Sequence, residues 1–476
     1  MKKWMTLASL ALPLTATYAN DALTFNPQKF TAQTVNVNGE NIAYRAYEQI
    51  IYVKNPVDSK YQKMNIYIPE AYFAGQKING FTAQTAPIFL PNSIGGYMPA
   101  EPATAAPKTT GPNAGKTSTL AQALAKGFVV AAPGARGRTM TTGKAPAAIV
   151  DLKAAVRYLR FNDKVMFGDA NKIISNGTSA GGAMSALLGA SGNSKDYAPY
   201  LKALGAANAR DDIFAVSAYC PIANLEHADA AYEWQFNGVN DYKKMVFGNM
   251  IDFHMERKEV AGTLTADEIK TSDTLAKQFP AYLNSLKLKD ANDQVLSLDA
   301  NGNGSFKDYL SAHIRESAQK ALSQGVDLST YPWIKIEKET VKSVDFDAYA
   351  KAVMRMKTPP AFDAFDLSSG ENELFGTATV KAQHFTNYSA KQGAQADPAI
   401  VKRMNPMNYI GSKSASNWRI RVGTNDRDTS LAISAMMSLK LNNAGKKVDY
   451  ALPWGVPHSG DYDLDELFAW MTAISR

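Results

Sequence analysis

The hexapeptide Gly177-Thr-Ser-Ala-Gly-Gly182 stands between a short apolar segment, 172–175, and a run of small residues that begins at Ala183. The pattern Gly-x-Ser-x-Gly between a strand and a helix is typical of a serine on a sharp, strained turn, which exposes its hydroxyl above a sheet. Glycines are favoured two positions before and after that serine, because side chains there would collide with the neighbouring strand and helix. Ser179 is therefore the candidate nucleophile, and the alternative is an incidental turn.

The segments on both sides of this turn alternate between apolar strands and helices. Their hydrophobic spacing predicts strands over 64–68, 87–90, 128–132, 172–175, 216–220, 418–422 and 448–452. It also predicts helices over 119–126, 147–161, 431–444 and 464–474, a helix from Ala183, and a hairpin over 34–53 that turns at Asn38-Gly39. Continuously apolar strands that alternate with helices indicate a mainly parallel sheet with helices on both faces. The sequence therefore predicts an α/β fold.

The alternation of strands and helices stops after about residue 222 and resumes near residue 402. The intervening segment is more polar, contains amphipathic helices such as 306–325, and has no regular strand alternation. We therefore expect one core in two parts, 20–222 and 402–476, which is interrupted by an inserted lid at 223–401.

Length and composition exclude several classes of protein. A chain of 476 residues with 45% apolar and 20% charged residues is not collagen-like, coiled-coil or wholly disordered. The formal net charge is +7 without a basic run, so a nucleic-acid partner is not expected. The single cysteine, Cys220, excludes an intramolecular disulfide and a cysteine-rich zinc site.

The amino terminus has the pattern of a secretory signal. Lys2 and Lys3 precede an apolar stretch, 4–16, and Thr17-Tyr-Ala19 places small residues before a cleavage site. The apolar stretch is shorter than the roughly 20 residues that a membrane-spanning helix needs. We therefore expect residues 1–19 to be removed and the mature protein to be exported, to a periplasm or to the medium, without a membrane anchor.

A nucleophilic serine needs a histidine that accepts its proton and a carboxylate that orients the histidine. In folds with this serine turn, the acid follows the serine and the histidine comes last, after the final strand. Of the five histidines, His458 follows the last predicted strand, whereas the other four lie within 223–401. The acid should follow the strand 418–422, where position slightly favours Asp426 over Asp428, and the alternative for each is a turn aspartate.

The tetrahedral oxyanion that a serine nucleophile generates needs two amide donors. One candidate is the amide of Ala180, at the start of the helix after the serine. The other is expected in the loop 93–97, where Gly95 and Gly96 allow the backbone to approach a substrate closely. This loop lacks the His-Gly-Gly sequence that is common in such enzymes, so both glycines are candidates.

A second motif suggests calcium weakly. Asp299, Asn301 and Asn303 have the spacing of the first ligands of an EF-hand loop, and Gly304 occupies the sixth position. The twelfth position is Leu310 instead of glutamate, so the bidentate ligand is missing. A tight turn stabilised by Asx side chains is favoured over a metal site, and no cofactor is expected.

Three stretches together resemble the bacterial tannases, which are secreted or cell-associated α/β-hydrolases that cleave galloyl esters. The resemblance covers nearly the whole mature chain, including 55–69 and 91–97. The stretches that carry it are Gly177 to Gly182, Gly423-Thr-Asn-Asp-Arg-Asp-Thr429 and Pro457-His-Ser-Gly-Asp-Tyr-Asp463.

The resemblance assigns roles to individual side chains. In the family, the first aspartate of Asp-Arg-Asp completes the triad and the second faces the substrate, which implies Asp426 and Asp428 respectively. A lysine and a glutamate of the lid hold the gallate hydroxyls, and the matching positions are Lys357 and Glu371. Two carboxylates and one ammonium suit three adjacent phenolic hydroxyls. Without the resemblance, Lys357 would be a helix-terminal charge and Glu371 an exposed loop residue.

The resemblance therefore implies an exported serine esterase that hydrolyses galloyl esters through an acyl-enzyme intermediate. Depside bonds of tannins are a further candidate substrate. A feruloyl or other hydroxycinnamoyl esterase with the same triad is the nearest alternative. A non-catalytic binding module is disfavoured because Ser179, Asp426 and His458 are all present. A peptidase is weaker still, because no propeller-like repeats accompany the triad.

Overall fold

The computed structural model describes residues 22–107, 115–251 and 254–476. The predicted signal segment, 1–19, lies outside these ranges. Within them, no helix is both long enough and apolar enough to cross a lipid bilayer.

The strands belong to one large sheet and two hairpins. In chain order they are β1 (Thr31–Val37), β2 (Glu40–Ile51), β3 (Lys63–Pro69), β4 (Pro87–Pro91), β5 (Val129–Pro133), β6 (Asp169–Thr178), β7 (Ala215–Tyr219), β8 (Asp241–Ile251), β9 (His254–Thr263), β10 (Ile334–Glu337), β11 (Thr340–Val344), β12 (Asn417–Arg421) and β13 (Lys447–Ala451).

The helices surround the large sheet and fill the segment between β7 and β12. They are α1 (Glu70–Phe73), α2 (Thr119–Ala125), α3 (Ala147–Phe161), α4 (Ala180–Ala190), α5 (Ala198–Ala203), α6 (Leu225–Phe236), α7 (Ala266–Ala276), α8 (Phe279–Ser285), α9 (Ser305–Ser323), α10 (Phe346–Val353), α11 (Gly370–Leu374), α12 (Pro398–Arg403), α13 (Leu431–Asn443) and α14 (Leu464–Ser475). Short 3-10 helices cover Lys195–Tyr197, Ser389–Gln392 and Pro406–Asn408.

The large sheet has nine strands in the order β1-β2-β3-β5-β4-β6-β7-β12-β13. Pairs from β1 to β3, and the pair of β3 with β5, are antiparallel, whereas every pair from β5 to β13 is parallel. Strands β4, β5, β7 and β12 are buried along their whole length, as expected of parallel strands covered on both faces. The predicted α/β fold with a mainly parallel sheet is confirmed.

The predicted amino-terminal hairpin is also confirmed. Val37 pairs with Glu40, so Asn38 and Gly39 form a two-residue turn. Both turn residues have positive φ, 53° for Asn38 and 91° for Gly39, which is the backbone conformation that the Asn-Gly pair favours.

The long segment between β7 and β12 contains two hairpins, β8–β9 and β10–β11, that the sequence analysis does not predict. The expectation that residues 223–401 contain no regular strands is wrong, and the reason is physical. The adjacent Lys243 and Lys244 place charges on both faces of β8, which removes the alternation of apolar and polar residues. Strands β10 and β11 have only four and five residues, too few to show a period.

Helix α6 differs most from the polar character expected of this segment. It contacts α7, α8, α10 and α13, and residues Leu225 and Ala228–Phe236 are buried. Because α13 follows β12, α6 connects the inserted segment to the core.

Candidate active site

Ser179 lies on the turn between β6 and α4, with φ 61° and ψ −122°. Its amide donates to Tyr219 O (3.0 Å), which ties the turn to the end of β7. A Cβ at Gly177 would lie 2.3 Å from Gly181 O, and one at Gly181 would lie 2.6 Å from Ile94 O. Glycine is therefore required at both positions, and the helix begins at Ala180, three residues earlier than predicted.

Asp426 and His458 form a hydrogen-bonded pair. His458 Nδ1 lies 2.8 Å from Asp426 Oδ2, and Asp426 Oδ1 accepts a hydrogen bond from the Asp428 amide (2.9 Å). The Asp426 side chain is fully buried, whereas that of His458 is 20% exposed. Burial alone would lower the pKa of His458, but the charge and hydrogen bond of Asp426 outweigh it and raise the pKa. The pair is therefore arranged to stabilise an imidazolium.

The loop that carries His458 packs directly on the strand that carries the serine turn. A Cβ at Gly460 would lie 1.8 Å from Thr178 Oγ1, so the Gly460 backbone lies directly against the Thr178 side chain. The Asp461 carboxylate accepts hydrogen bonds from Asn176 Nδ2 (3.0 Å) and Thr119 Oγ1 (2.9 Å). These contacts hold the loop that carries His458 against the end of β6, which leads into the Ser179 turn.

Cys220 lies on the other side of the imidazole, directly after β7. Its Sγ is 3.9 Å from His458 Nε2, donates to Ser459 O (3.3 Å), and lies within hydrogen-bonding range of the Ser179 backbone. Burial raises the pKa of the Cys220 thiol. The Nε2 face of His458 therefore lies against Cys220, and the preceding residue, Tyr219, accepts the hydrogen bond of the Ser179 amide. Within the described residues, no hydrogen bond joins the Ser179 hydroxyl to His458.

The ligand-type atoms of Cys220, Asp426 and His458 all lie within 4.8 Å of one another, a spacing that could hold a metal ion. Asp426 Oδ2 and His458 Nδ1 are already hydrogen-bonded to each other, however. A proton relay uses the pair as it stands, whereas a metal ion would have to break that bond.

The glycine loop after β4 lies against the serine turn. Asn92 Nδ2 donates to Gly181 O (3.1 Å) and to Ser185 Oγ (3.0 Å), both on α4. Gly95 and Gly96 are exposed, and Gly96 has a φ of 53°. The predicted oxyanion donors therefore lie on this side of the turn, next to the amino end of α4.

Two of the predicted substrate contacts adjoin the catalytic pair. Lys357 Nζ donates to Asp428 O (2.7 Å) and lies 4.0 Å from the centre of the Phe362 ring. Asp428 Oδ2 lies 3.9 Å from His458 Nδ1, and the Asp428 side chain is 26% exposed. Lys357 is therefore anchored beside the loop that carries Asp426 and Asp428.

Glu371 lies in the first turn of α11, which begins after the capping residue Ser369. Its charge raises the pKa of Tyr97, together with the larger effect of burial, so Glu371 lies close to the glycine loop. In the described part of the chain, its carboxylate accepts no hydrogen bond. Glu371 thus lies on the side of the glycine loop, and Lys357 with Asp428 lies on the side of the loop that carries Asp426.

Residues 107–266 match the family model described as BD-FAE. No curated protein matches the chain. The crystal structure of Fusobacterium nucleatum tannase is 55% identical over 95% of this chain and 99% of that one, with a TM-score of 0.92. The tannase of Lactobacillus plantarum in an orthorhombic crystal is 45% identical over 95% of this chain and 100% of that one, also with a TM-score of 0.92.

The chain belongs to the bacterial tannases. This finding confirms the predicted family and, with it, the α/β-hydrolase fold and the class of hydrolytic esterases. A further tannase structure, solved in complex with ethyl gallate, is 46% identical over 95% of this chain and 99% of that one, with a TM-score of 0.90.

The weak calcium candidate of this tannase is a hydrogen-bonded turn. Asp299 Oδ1 accepts from the amides of Asn301 (2.8 Å) and Asn303 (2.9 Å). Asn303 Oδ1 accepts from Lys307 Nζ (3.0 Å), so an ammonium occupies the side where a cation would bind. This geometry favours the Asx turn, which precedes α9.

Sequence reasoning on this tannase missed two residues near the catalytic pair. Cys220 follows β7, whose carboxyl end lies at the same sheet edge as those of β6 and β12, and that position is the signal that could have found it. Tyr232 lies on α6, and its hydroxyl donates to Arg427 O (2.9 Å), between the two site aspartates. No sequence pattern distinguishes this tyrosine from an ordinary core residue.

Proposed function

We propose that this tannase hydrolyses galloyl esters, including those of tannins, through an acyl-enzyme intermediate formed on Ser179. The observation that carries the proposal is the Asp426–His458 pair docked beside the strained serine turn. Ser179 Oγ attacks the ester carbonyl while His458 Nε2 accepts its proton. Asp426 keeps the other ring proton on Nδ1 and stabilises the imidazolium that forms.

Two amides stabilise the tetrahedral intermediate, and His458 takes part in its breakdown and in the later hydrolysis. The amide of Ala180 and an amide of the loop holding Gly95 and Gly96 stabilise the tetrahedral oxyanion. When it collapses, His458 gives its proton to the departing alcohol, and the galloyl group stays on Ser179. Water, deprotonated by His458, then releases gallate and restores the serine.

The three predicted substrate contacts support gallate as the preferred acid. Glu371 and Asp428 can accept hydrogen bonds from phenolic hydroxyls, and Lys357 Nζ can donate one. A ring without these hydroxyls would leave the polar groups unpaired, which a site built for them rejects strongly. The tannase complex with 3,4-dihydroxybenzoate, 45% identical to this chain, is consistent with a pocket for hydroxylated aromatic rings.

The direct test is Ser179→Ala assayed on methyl gallate. We expect loss of gallate release to the background rate, because no other nucleophile replaces the serine. Ser459→Ala is a matched control, since this partly exposed hydroxyl donates to Pro457 O and its removal should leave turnover intact. Normal turnover by Ser179→Ala would refute the proposal.

A feruloyl esterase is the second candidate, and the BD-FAE match over residues 107–266 favours it. Ferulate replaces two of the three adjacent hydroxyls, so it cannot satisfy Lys357, Glu371 and Asp428 together. We expect kcat/KM for methyl gallate to exceed that for methyl ferulate by about 100-fold or more. A preference for methyl ferulate would reassign the substrate while keeping the triad.

We also propose that the enzyme acts outside the cytoplasm. The support is the pattern of residues 1–19, with two lysines, an apolar stretch and small residues before the cleavage site. Fractionation of cells that express the full chain, followed by amino-terminal sequencing of the exported protein, tests this. Full-length protein confined to the cytoplasm would contradict it.

A further inference from the structure

Tyr232 joins two segments that each carry part of the proposed site. Its side chain is completely buried. The hydroxyl oxygen accepts hydrogen bonds from the amides of Met356 (3.0 Å) and Lys357 (3.1 Å), and the hydroxyl donates to Arg427 O (2.9 Å). A phenol has one proton and two lone pairs, so all of its hydrogen-bonding capacity is used. Arg427 lies between the triad aspartate and the aspartate that faces the substrate.

The same helix also holds the carbonyl of Lys357. Arg355 Nε donates to Lys357 O (2.8 Å), and the Arg355 guanidinium pairs with Glu233, next to Tyr232 on α6. Both side chains of this ion pair are completely buried. The amide and the carbonyl of Lys357 are therefore both tied to α6, while its ammonium reaches Asp428 O.

A third residue on the same face of α6 supports the ring under the lysine. Asp229 accepts hydrogen bonds from the amides of Phe362 (2.6 Å) and Asp363 (3.2 Å). Phe362 lies below the Lys357 ammonium. Residues 229, 232 and 233 are three and four positions apart, so they project from one side of the helix.

We propose that Tyr232, assisted by Glu233 acting through Arg355, is a positioning residue that sets the distance between the gallate-hydroxyl contacts and the catalytic pair. The proposal rests on the function proposed above. A galloyl ring held by its hydroxyls reacts only if its carbonyl meets Ser179 correctly, and a displacement of about 1 Å can cost on the order of 100-fold in rate. An ester without ring hydroxyls does not use those contacts. Tyr232 therefore determines selectivity between the two kinds of ester.

The test is Tyr232→Phe, assayed on methyl gallate and on methyl benzoate. Removal of the hydroxyl leaves two amides and one carbonyl without their partner, so the two segments can shift relative to each other. We expect kcat/KM for methyl gallate to fall about tenfold or more, and that for methyl benzoate to change about twofold at most. The ratio of the two values then falls at least about fivefold.

Tyr197→Phe is the matched control. Tyr197 is also completely buried, and its hydroxyl donates to Arg403 O (2.6 Å), which is not part of the proposed site. Tyr197→Phe loses one hydrogen bond and Tyr232→Phe loses three, so both melting temperatures should fall, and that of Tyr232→Phe should fall further. The ratio of gallate to benzoate turnover should change only in Tyr232→Phe.

An equal loss on both esters in Tyr232→Phe would show a merely structural hydroxyl and overturn the inference. If that variant does not fold, Glu233→Gln tests the same link through Arg355, and it should lower the ratio in the same direction. An unchanged ratio in folded Glu233→Gln would also contradict the inference. Failure of the wild-type enzyme to cleave methyl gallate would instead refute the proposed function.

Discussion

The carboxylate of Asp426 has a partner on each oxygen, the His458 imidazole on one and the Asp428 amide on the other. Both bonds fix the orientation of the carboxylate. Because Asp426 is buried, its charge acts on His458 with little screening by water. At the scale of single residues, this pair has the clearest consequence for the pH dependence of catalysis.

Asp426→Asn should lower kcat on methyl gallate by on the order of 10³- to 10⁴-fold, because the amide stabilises neither the imidazolium nor the required tautomer. His458 accepts a proton only when neutral, so activity is lost as pH falls through its pKa. The charge of Asp426 raises that pKa, and its removal should therefore move the acid limb of kcat/KM to lower pH. A pH profile measures this, with exposed Asp465→Asn as the control. An acid limb that does not move would contradict the assignment.

Lys357→Met should raise KM for methyl gallate on the order of 10- to 100-fold, because it removes a charged donor while keeping most of the length of the side chain. KM for methyl benzoate, which has no ring hydroxyls, should change far less. Glu371→Gln should act in the same direction. Lys351→Met, at an exposed position of the neighbouring α10, is the control. Equal effects on both esters would remove Lys357 from the hydroxyl contacts.

The proposed triad follows from the sequence because the motif around Ser179 and the chain order of acid and histidine limit the choice. The roles of Lys357 and Glu371 came only from the family resemblance, since each residue type is common on surfaces. Tyr232 and Cys220 could not be predicted. Their contacts depend on how α6 and the His458 loop dock, which no local pattern encodes.

At the scale of elements, the close packing of the His458 loop on β6 depends on Gly460. Gly460→Ala would bring its Cβ to 1.8 Å from Thr178 Oγ1, so the loop must move away from the serine turn. We expect kcat to fall about tenfold or more, because small displacements of a catalytic group are costly, and KM to change little.

The control for this substitution is Gly411→Ala, whose nearest neighbour would be Tyr409 O at 3.9 Å. Steady-state kinetics and the melting temperature of both variants separate the movement of the catalytic loop from general destabilisation. A Gly460→Ala enzyme with normal kcat would show that the loop tolerates the displacement.

Core elements were predictable where apolar runs are continuous. Helix α3 begins and ends at the predicted residues 147 and 161, and β4, β5, β7, β12 and β13 lie within one residue of their predicted bounds. Helix α6 was not predictable as a buried element, because Asp229, Glu233 and Gln235 suggest a solvent-facing side. Each of them instead binds a neighbouring segment, as Gln235 does when it accepts from the Leu431 amide (2.8 Å).

At the scale of the whole molecule, the inserted segment and the core both contribute to the proposed site. Lys357 and Glu371 come from the insertion, whereas Ser179, Asp426 and His458 come from the core. Helix α6 links the insertion to the core through buried polar contacts. The residues that make these contacts therefore contribute both to the stability of the protein and to the geometry of the site.

One of these contacts should make stability depend on pH. Burial raises the pKa of Asp229 to about 7; the Phe362 amide opposes the shift, whereas the charge of Asp363 adds to it. An unfolded aspartate has a pKa of about 4, so the folded state binds more protons between these values. The contribution of Asp229 to stability is therefore present at low pH and declines as pH rises from about 4 to about 7.

Asp229→Asn removes this titration. Relative to wild type, we expect the melting temperature of the variant to improve as pH rises from 5 to 7.5, whatever the offset at pH 5. Calorimetry at both pH values measures the difference, with exposed Asp465→Asn as the control. A constant offset across this range would show that Asp229 does not titrate there.

Labelling of the wild-type enzyme by a fluorophosphonate, with and without gallate, tests most directly whether Ser179 is the nucleophile of a gallate-binding site. Peptide mass spectrometry should place the label on Ser179, and saturating gallate should slow its formation at least about tenfold, since bound gallate fills the acyl pocket. Labelling of a different residue, or an unchanged rate in gallate, would contradict the account.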